Sequence, residues 1–510
     1  MKRKILGCYN GKNIGGALGA PFEFRRGVLN VGFFTDEVLK NPPANDDLDL
    51  QLVWLCAVEY YGKFVDSNIL AEFWLTYIVP EWFEYGTGKG NLRAGLRPPL
   101  SGALDNPFGN SNGAFIRSEI WACLAPGNPA IAAAYAYEDA VVDHAGEGLN
   151  GAVFCAALQS AAFVENDRDK LIDAALSYIP ADSLVARAVG LVRQAYKNNL
   201  TFAEARDKLM REIPGNFGII STPYAGMEGG YPVAEPGMDA PNNIGIMLIG
   251  WLYGENDFGK SICTAVNCGE DADCTAATLG ALLGILNGND SIPKKWQEPI
   301  DGKITTMCVN ATDMVRVPKD VEELTLRILK VIPAFLNKQS KCSELCDLSY
   351  KDDKYCVYTA QSLKKEPDFP APAGLDYGTL ALKPRINELM KYGPYAALYS
   401  FPTFNAVLDY GSEPSISEGE TKAVRLRLFF NKISRTQKRF DVKLYADETV
   451  AFPKGRAFNK MAQTLYQAAA EFEFEIRADQ IRENRVEIIV DISVPGRHTN
   501  EMIKIRYFAK

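Results

Sequence analysis

The chain has 510 residues, with 63 acidic side chains against 55 basic ones, a net charge of −8, and two histidines, His144 and His498. An acidic surplus argues against nucleic-acid binding, which needs a basic footprint, and so few histidines nearly exclude His-rich zinc or His-relay chemistry. Carboxylates are plentiful, and they are the side chains that hold hard cations such as Mg²⁺.

At about 150 residues per domain the length implies about two to four units, and 47% hydrophobic residues suffice for large cores. The start, MKRKILGC, imitates a lipoprotein signal, but its apolar stretch before Cys8 is too short for such a signal. No run of about 18 uncharged apolar residues appears, so a cytoplasmic protein without membrane contact is expected. Eleven scattered cysteines without paired CxxC modules fit reduced core thiols. Cys342, Cys346 and Cys356 are closer together but have no nearby His to complete a zinc site.

The first segment of interest is GCYNGKNIGGALGAPFEF (7–24). Gly11-Lys12 does not form a phosphate loop, because Asn13 stands where Ser or Thr is required. Gly11, Gly15 and Gly19 recur every four residues, which places them on one helix face and lets another backbone approach closely. Glu23 follows a Gly-Ala-Pro helix end, in a turn from which a carboxylate can point into a cavity.

Next come Asn45-Asp46-Asp47-Leu48-Asp49, ahead of an apolar helix at 50–62. One helix start needs one capping acid. Asn45 with consecutive Asp46 and Asp47 exceeds that need, and clustered like charges cost energy unless a cation neutralises them.

Farther on, GNSNGAFIRSEIWACLAPGNP (109–129) and DAVVDHAGEGLNGAVF (139–154) place Asn112-Gly113 and Gly146-Glu147-Gly148 as irregular backbone beside helices, suited to contacting a polar ligand. His144 precedes the glycine-rich turn and joins them as a candidate ligand contact. Helical periodicity marks 151–164, 187–199 and 320–334, Asn128-Pro129 reads as a helix start, and Thr201 with Glu204 forms a capping-box pattern.

At 269–275, Gly-Glu-Asp-Ala-Asp-Cys-Thr precedes a helix whose Ala276, Gly280 and Gly284 form a second small-residue stripe. Asp271 and Asp273 diverge inside a regular helix and converge only in the loop or first turn. Two helix starts with paired acids therefore predict a two-cluster metal site. Asp271-x-Asp273-x-Thr275 also spells a phosphatase nucleophile motif, but that motif belongs at the end of a buried parallel strand, and the surroundings here are helical. Neither cluster has the ligand ladder of an EF-hand.

Periodicity breaks over 341–375 and then shifts to period two: Val424, Leu426 and Leu428 alternate with Arg425 and Arg427, and 472–477, 486–494 and 502–508 follow suit. The expected organisation is an all-α domain over 1–340, a linker over 341–375, and a small antiparallel β-sandwich-like accessory domain over 376–510, with a role in oligomerisation or carbohydrate contact.

In this order, GGALGAPFE (15–23), NDD (45–47), SNGAFIR (111–117), DHAGEGLNGA (143–152) and GEDADCTAATLGALLG (269–284) resemble the ADP-ribosylglycohydrolase family over about residues 3–300. The resemblance implies an orthogonal all-α domain with an acidic cleft holding two Mg²⁺ ions, or Mn²⁺, and hydrolysis of an N- or O-glycosidic bond at C1″ of ADP-ribose. The substrate implied is an ADP-ribosyl or related glycosyl conjugate, small or protein-borne. It assigns Glu23 and Asp47 as catalytic carboxylates, Asn45, Asp46, Asp47, Asp271, Asp273 and Thr275 as the metal set, and Asn112, Gly113, His144, Gly148 and Asn150 as substrate contacts. The chain departs from the family pattern at Gly16, where Asp is usual, at Asn45, where Thr is common, and at Cys274, where Thr usually follows the second Asp. A thiol is a poor Mg²⁺ ligand, which shifts that place to Thr275 or water. The alternatives are a metal-dependent hydrolase of another ribosyl or sugar conjugate, and a catalytically silent binding or structural protein.

Overall fold

The computed structural model describes residues 1–44, 46–213, 237–311, 315–336, 392–401, 404–430, 438–462, 469–495 and 500–510. Asn45, the expected linker 341–375 and its three cysteines lie outside them. The chain divides into two compact units, Met1–Leu96 with Asp105–Asn387, and Arg97–Leu104 with Glu388–Lys510.

Among the described residues the helices are α1 (Lys2–Gly19), α2 (Asp36–Lys40), α3 (Asp46–Tyr61), α4 (Ser67–Tyr77), α5 (Phe83–Arg93), α6 (Leu100–Ala103), α7 (Glu119–Leu124), α8 (Pro129–Ala140) and α9 (Gly146–Ala161). They continue with α10 (Arg168–Leu176), α11 (Leu184–Lys197), α12 (Phe202–Glu212), α13 (Ala240–Tyr253), α14 (Phe258–Asn267), α15 (Ala272–Asn287), α16 (Lys294–Gln297) and α17 (Val321–Leu336). None is long and apolar enough to cross a membrane. The capping box at Thr201 and Glu204 forms as its sequence predicts, each side chain satisfying the other residue's backbone N–H. Asn128 does precede α8, but its amide turns away to the Pro126 carbonyl instead of capping.

The two small-residue stripes meet each other. α1 and α15 run antiparallel so closely that a Cβ added at Gly11 would lie 2.0 Å from the Gly280 carbonyl oxygen, and one at Gly15 would lie 2.1 Å from that of Ala276. Gly7 faces Gly284 and Gly19 faces Asp273 in the same way. Only hydrogen fits at these places, so glycine at every fourth residue is a packing requirement. The glycine stripe ends beside Asp273, which delivers the turn carrying Glu23 to the start of α15.

The C-terminal unit has two five-stranded sheets, ordered β1 (Ala396–Ser400), β2 (Phe404–Asp409), β4 (Thr421–Phe430), β8 (Ala470–Ala478), β6 (Val450–Ala451) and β3 (Ser415–Ile416), β10 (Asn500–Ala509), β9 (Arg485–Ser493), β5 (Lys438–Tyr445), β7 (Ala457–Ala462). All pairings are antiparallel except β3 with β10. The inner faces pack as a sandwich: Val424, Leu426 and Leu428 are fully buried with Ile488, Val490 and Ile492, and Phe404 meets Phe440 edge-on at 5.1 Å. Each such side chain contributes about 1.5–3 kcal/mol by leaving water, while the alternate residues Arg425 and Glu473 face solvent.

Candidate metal centre and its surroundings

Four backbone devices bring the acids together. α3 begins at Asp46, so Asp46 and Asp47 occupy its first turn, where the helix dipole favours anions. Asp271 immediately precedes α15 and Asp273 lies in its first turn. The chain enters α15 through two left-handed residues, Gly269 (φ 73°) and Glu270 (φ 65°). Glu270, which as a non-glycine residue is strained there, is held by reciprocal backbone bonds: its N–H donates to the Arg25 carbonyl at 2.8 Å and its carbonyl accepts from Phe24 at 2.9 Å. Its buried carboxylate pairs with Arg206 at 2.8 Å. This stitching fixes the acidic turn beside Glu23.

The two helix starts touch. Cys274 Sγ lies 3.3 Å from Asp47 Oδ1 and donates to it, while Asp271, Asp273 and Cys274 each bring a ligand atom within 4.8 Å of the others. Asn112 Nδ2 donates to Asp271 Oδ2 at 2.9 Å. Asp47 Oδ2, Asp271 Oδ1 and Asp273 Oδ1 are buried with no hydrogen-bond partner among the described residues. Asp49, third in the acidic run, points elsewhere and accepts the Met307 and Cys308 N–H groups at 2.7 Å each.

The electrostatics follow from crowding. Burial first, then the Asp271 and Asp46 charges, push the Asp273 carboxyl well above the carboxylate range. Burial does the same to Asp47, against the opposing pull of Lys12. Asp271 is pushed up to about 7 by burial and the nearby Glu23, with relief from its hydrogen bonds. Glu23 has a solvent-facing surface, yet its carboxyl is hemmed in by protein and, with Asp273, Asp46 and Asp47 near it, rises to about 8.

Beneath Asp47 lies a buried polar hub. Glu119 accepts from Lys12 at 3.2 Å, Gln51 at 2.8 Å and Gln159 at 3.1 Å, joining α1, α3, α7 and α9. Lys12 also donates to the Ile116 carbonyl. Sequence pattern missed this hub, because Lys12 and Glu119 are 107 residues apart and each looks like an ordinary helical surface charge.

The expected substrate contacts split into groups. Asn112 joins the acids through Asp271. Gly113 and Gly148 instead crowd His144: a Cβ at Gly148 would meet its ring at 2.7 Å, and one at Gly113 would meet Glu84 Oε1 at 2.1 Å and the His144 ring at 3.3 Å. His144 is fully buried, with Nε2 3.0 Å from Ser111 Oγ and Nδ1 2.9 Å from Asp143 Oδ1. It therefore braces the loop that presents Asn112. Asn150 is buried in α9 with its carbonyl oxygen unpartnered among the described residues. Thr275 turns its hydroxyl to the Ala272 carbonyl of its own helix at 3.2 Å.

A second charged cluster, also missed, surrounds Arg117. The guanidinium donates to Asp139 at 2.9 Å, to both Asp143 oxygens at 2.6 and 3.1 Å, and to the Gly113 carbonyl. Trp121 Nε1 donates to the other Asp139 oxygen at 2.9 Å. Arg117 is part of the SNGAFIR segment, so its position was visible, but its two partners lie 22 and 26 residues away and only the fold brings them in.

The unpartnered oxygens bear on whether the acidic cluster suits cations. Buried carboxylates with free lone pairs and crowded like charges are the donor chemistry of a hard divalent cation. Lys12, whose charge acts on Asp47, is already engaged by Glu119 and the Ile116 carbonyl.

Residues 1–332 match a protein-family model described as ADP-ribosylglycohydrolase. No curated protein matches the chain. Among solved structures, one titled ADP-ribosylglycohydrolase-related protein complex aligns with a TM-score of 0.40 and 20% identity, over 66% of this chain and 98% of the other. A FixG-related protein from Vibrio parahaemolyticus aligns with a TM-score of 0.18 and 10% identity, over 22% of this chain and 99% of its own.

Proposed function

The chain belongs to the ADP-ribosylglycohydrolase family, and from that premise we propose that it hydrolyses the N- or O-glycosidic bond at C1″ of an ADP-ribosyl group borne by a protein or a small molecule. The observation that carries this reading is the convergence of Asp47, Asp271 and Asp273, each with a buried unpartnered oxygen, close to Glu23. Two divalent cations, Mg²⁺ or Mn²⁺, held by Asp46 and Asp47 on one side and Asp271 and Asp273 on the other, would supply Lewis-acid binding of the ribose hydroxyls and a lowered water pKa.

The chain's own residues divide the remaining work. Asn112 donates to Asp271 Oδ2 and leaves Oδ1 unpartnered among the described residues. Cys274 holds Asp47 by Oδ1 and leaves Oδ2 free. Glu23, on the solvent side of this set, is the proton carrier: protonated, it donates to the leaving atom as the glycosidic bond breaks, and ionised, it accepts a proton from the attacking water. No histidine is needed. A cytoplasmic setting is supported by eight described cysteines, all free and buried.

The test is release of ADP-ribose from Arg-linked, Ser-linked and small-molecule conjugates with Mg²⁺, with Mn²⁺ and with chelator. Release that requires the cation supports the reading; none from any conjugate, with cation demonstrably bound, moves the substrate to another ribosyl or sugar conjugate. Glu23→Gln should lower kcat by about 10²–10⁴-fold while binding cation as tightly as the wild type, and full turnover in that variant would remove Glu23 from the chemistry.

A further inference from the structure

The acidic turn also carries a sulfur. Cys274 Sγ lies 3.3 Å from Asp47 Oδ1 and shares a 4.8 Å neighbourhood with ligand atoms of Asp271 and Asp273, so the thiol stands between the two acidic helix starts. The neighbouring oxygen candidate, Thr275, is turned to its own helix. Asp47, Asp271 and Asp273 are only 0%, 3% and 8% exposed, and each keeps an oxygen that no described residue satisfies.

We propose that Cys274 is a metal ligand that completes, with Asp271 and Asp273, a mixed sulfur and oxygen position taking a borderline divalent cation of the Zn²⁺ or Co²⁺ class in preference to Mg²⁺. This rests on the cleft being cation-binding, as inferred above, and deepens it: the Asp46 and Asp47 side keeps oxygen donors and a hard ion, and the α15 side becomes softer. Mg²⁺ accepts oxygen almost exclusively, whereas a polarisable thiolate favours zinc-like ions. Holding one ion at bond lengths of about 2.0–2.3 Å requires the three ligand atoms, within 4.8 Å of one another, to draw together. Coordination replaces the S–H bond, and with it the hydrogen bond to Asp47 Oδ1, with a sulfur–metal bond and releases the proton to solvent, with no change of oxidation state; Asp47 then has both oxygens for the hard ion.

The experiment is Co²⁺ titration of the full-length protein, followed by absorption for sulfur-to-cobalt charge transfer, beside calorimetric titrations with Mg²⁺, Mn²⁺, Co²⁺ and Zn²⁺. Wild type should develop the band as its first tight equivalent binds. Cys274→Ser and Cys274→Thr should still bind cations but lose the band, with the Co²⁺ to Mg²⁺ affinity ratio falling about tenfold or more. The paired variants separate this sulfur from the other ten cysteines of the chain. Calorimetric Co²⁺ binding without a band, or a band that survives in Cys274→Ser, overturns the thiolate ligand and leaves the carboxylate site standing. Absence of binding by every cation overturns both, and so marks failure of the cation-binding premise itself.

Discussion

Two buried clusters of acids within the helical unit obey opposite rules. Around Arg117, all four oxygens of Asp139 and Asp143 accept a hydrogen bond, from three guanidinium nitrogens and Trp121 Nε1. Around Cys274, Asp47, Asp271 and Asp273 each leave one oxygen unpartnered among the described residues. Burial costs both clusters desolvation. The first recovers it internally and acts as scaffold; the second keeps lone pairs that a cation from outside would satisfy, which is why it is the proposed metal centre.

The largest break in this contrast is Arg117→Met. It strips Asp139 and Asp143 of their shared cation, and should lower unfolding stability by about 3–5 kcal/mol in denaturant titrations. A loss below about 1 kcal/mol would mean the cluster is no scaffold.

Asp273→Asn should act with the opposite sign. Crowding already disfavours ionisation of this carboxyl, so the neutral amide leaves the metal-free protein as stable or stabilises it by about 1 kcal/mol, while cation affinity measured by calorimetry falls by at least about 10–100-fold and turnover falls with it. Parallel losses of stability in both variants would erase the distinction between the clusters.

A gentler probe is pH. Asp271 and Glu23 rise to about 7 and about 8 in the fold from ordinary values of 3.8 and 4.5. The folded protein therefore holds more protons than the unfolded chain through that window, and metal-free stability should fall as pH rises from about 4 to 8. Saturating divalent cation should flatten or reverse the trend, because it takes the place of those protons. Melting scans with and without cation test this, and a metal-free protein that gains stability toward pH 8 would contradict it.

Much of this is legible in the sequence, for definable reasons. Gly11, Gly15 and Gly19, like Ala276, Gly280 and Gly284, announce close approach because spacing is local information. Their pairing with each other is not local, and only the fold supplies it. The acid pairs were likewise legible as excess charge at helix starts. The hub of Lys12, Gln51, Glu119 and Gln159 and the Arg117 cluster were not, since a buried ion pair looks in sequence like any two charged residues until distant helices meet. In sequence Cys274 is a poor Mg²⁺ ligand; the fold gathers its sulfur with the acids and turns the Thr275 hydroxyl toward its own helix.

The seam between α1 and α15 has a mechanical consequence. With backbone against backbone at every fourth residue, neither helix can creep along the other; the next register that brings the small residues face to face is a whole step of four residues, or about 6 Å, away. The gap between Glu23 and Asp273 is thus set in discrete notches and not by the soft compliance of side chains. Residues around the acidic cluster can then vary while the spacing of Glu23 from Asp273 stays put.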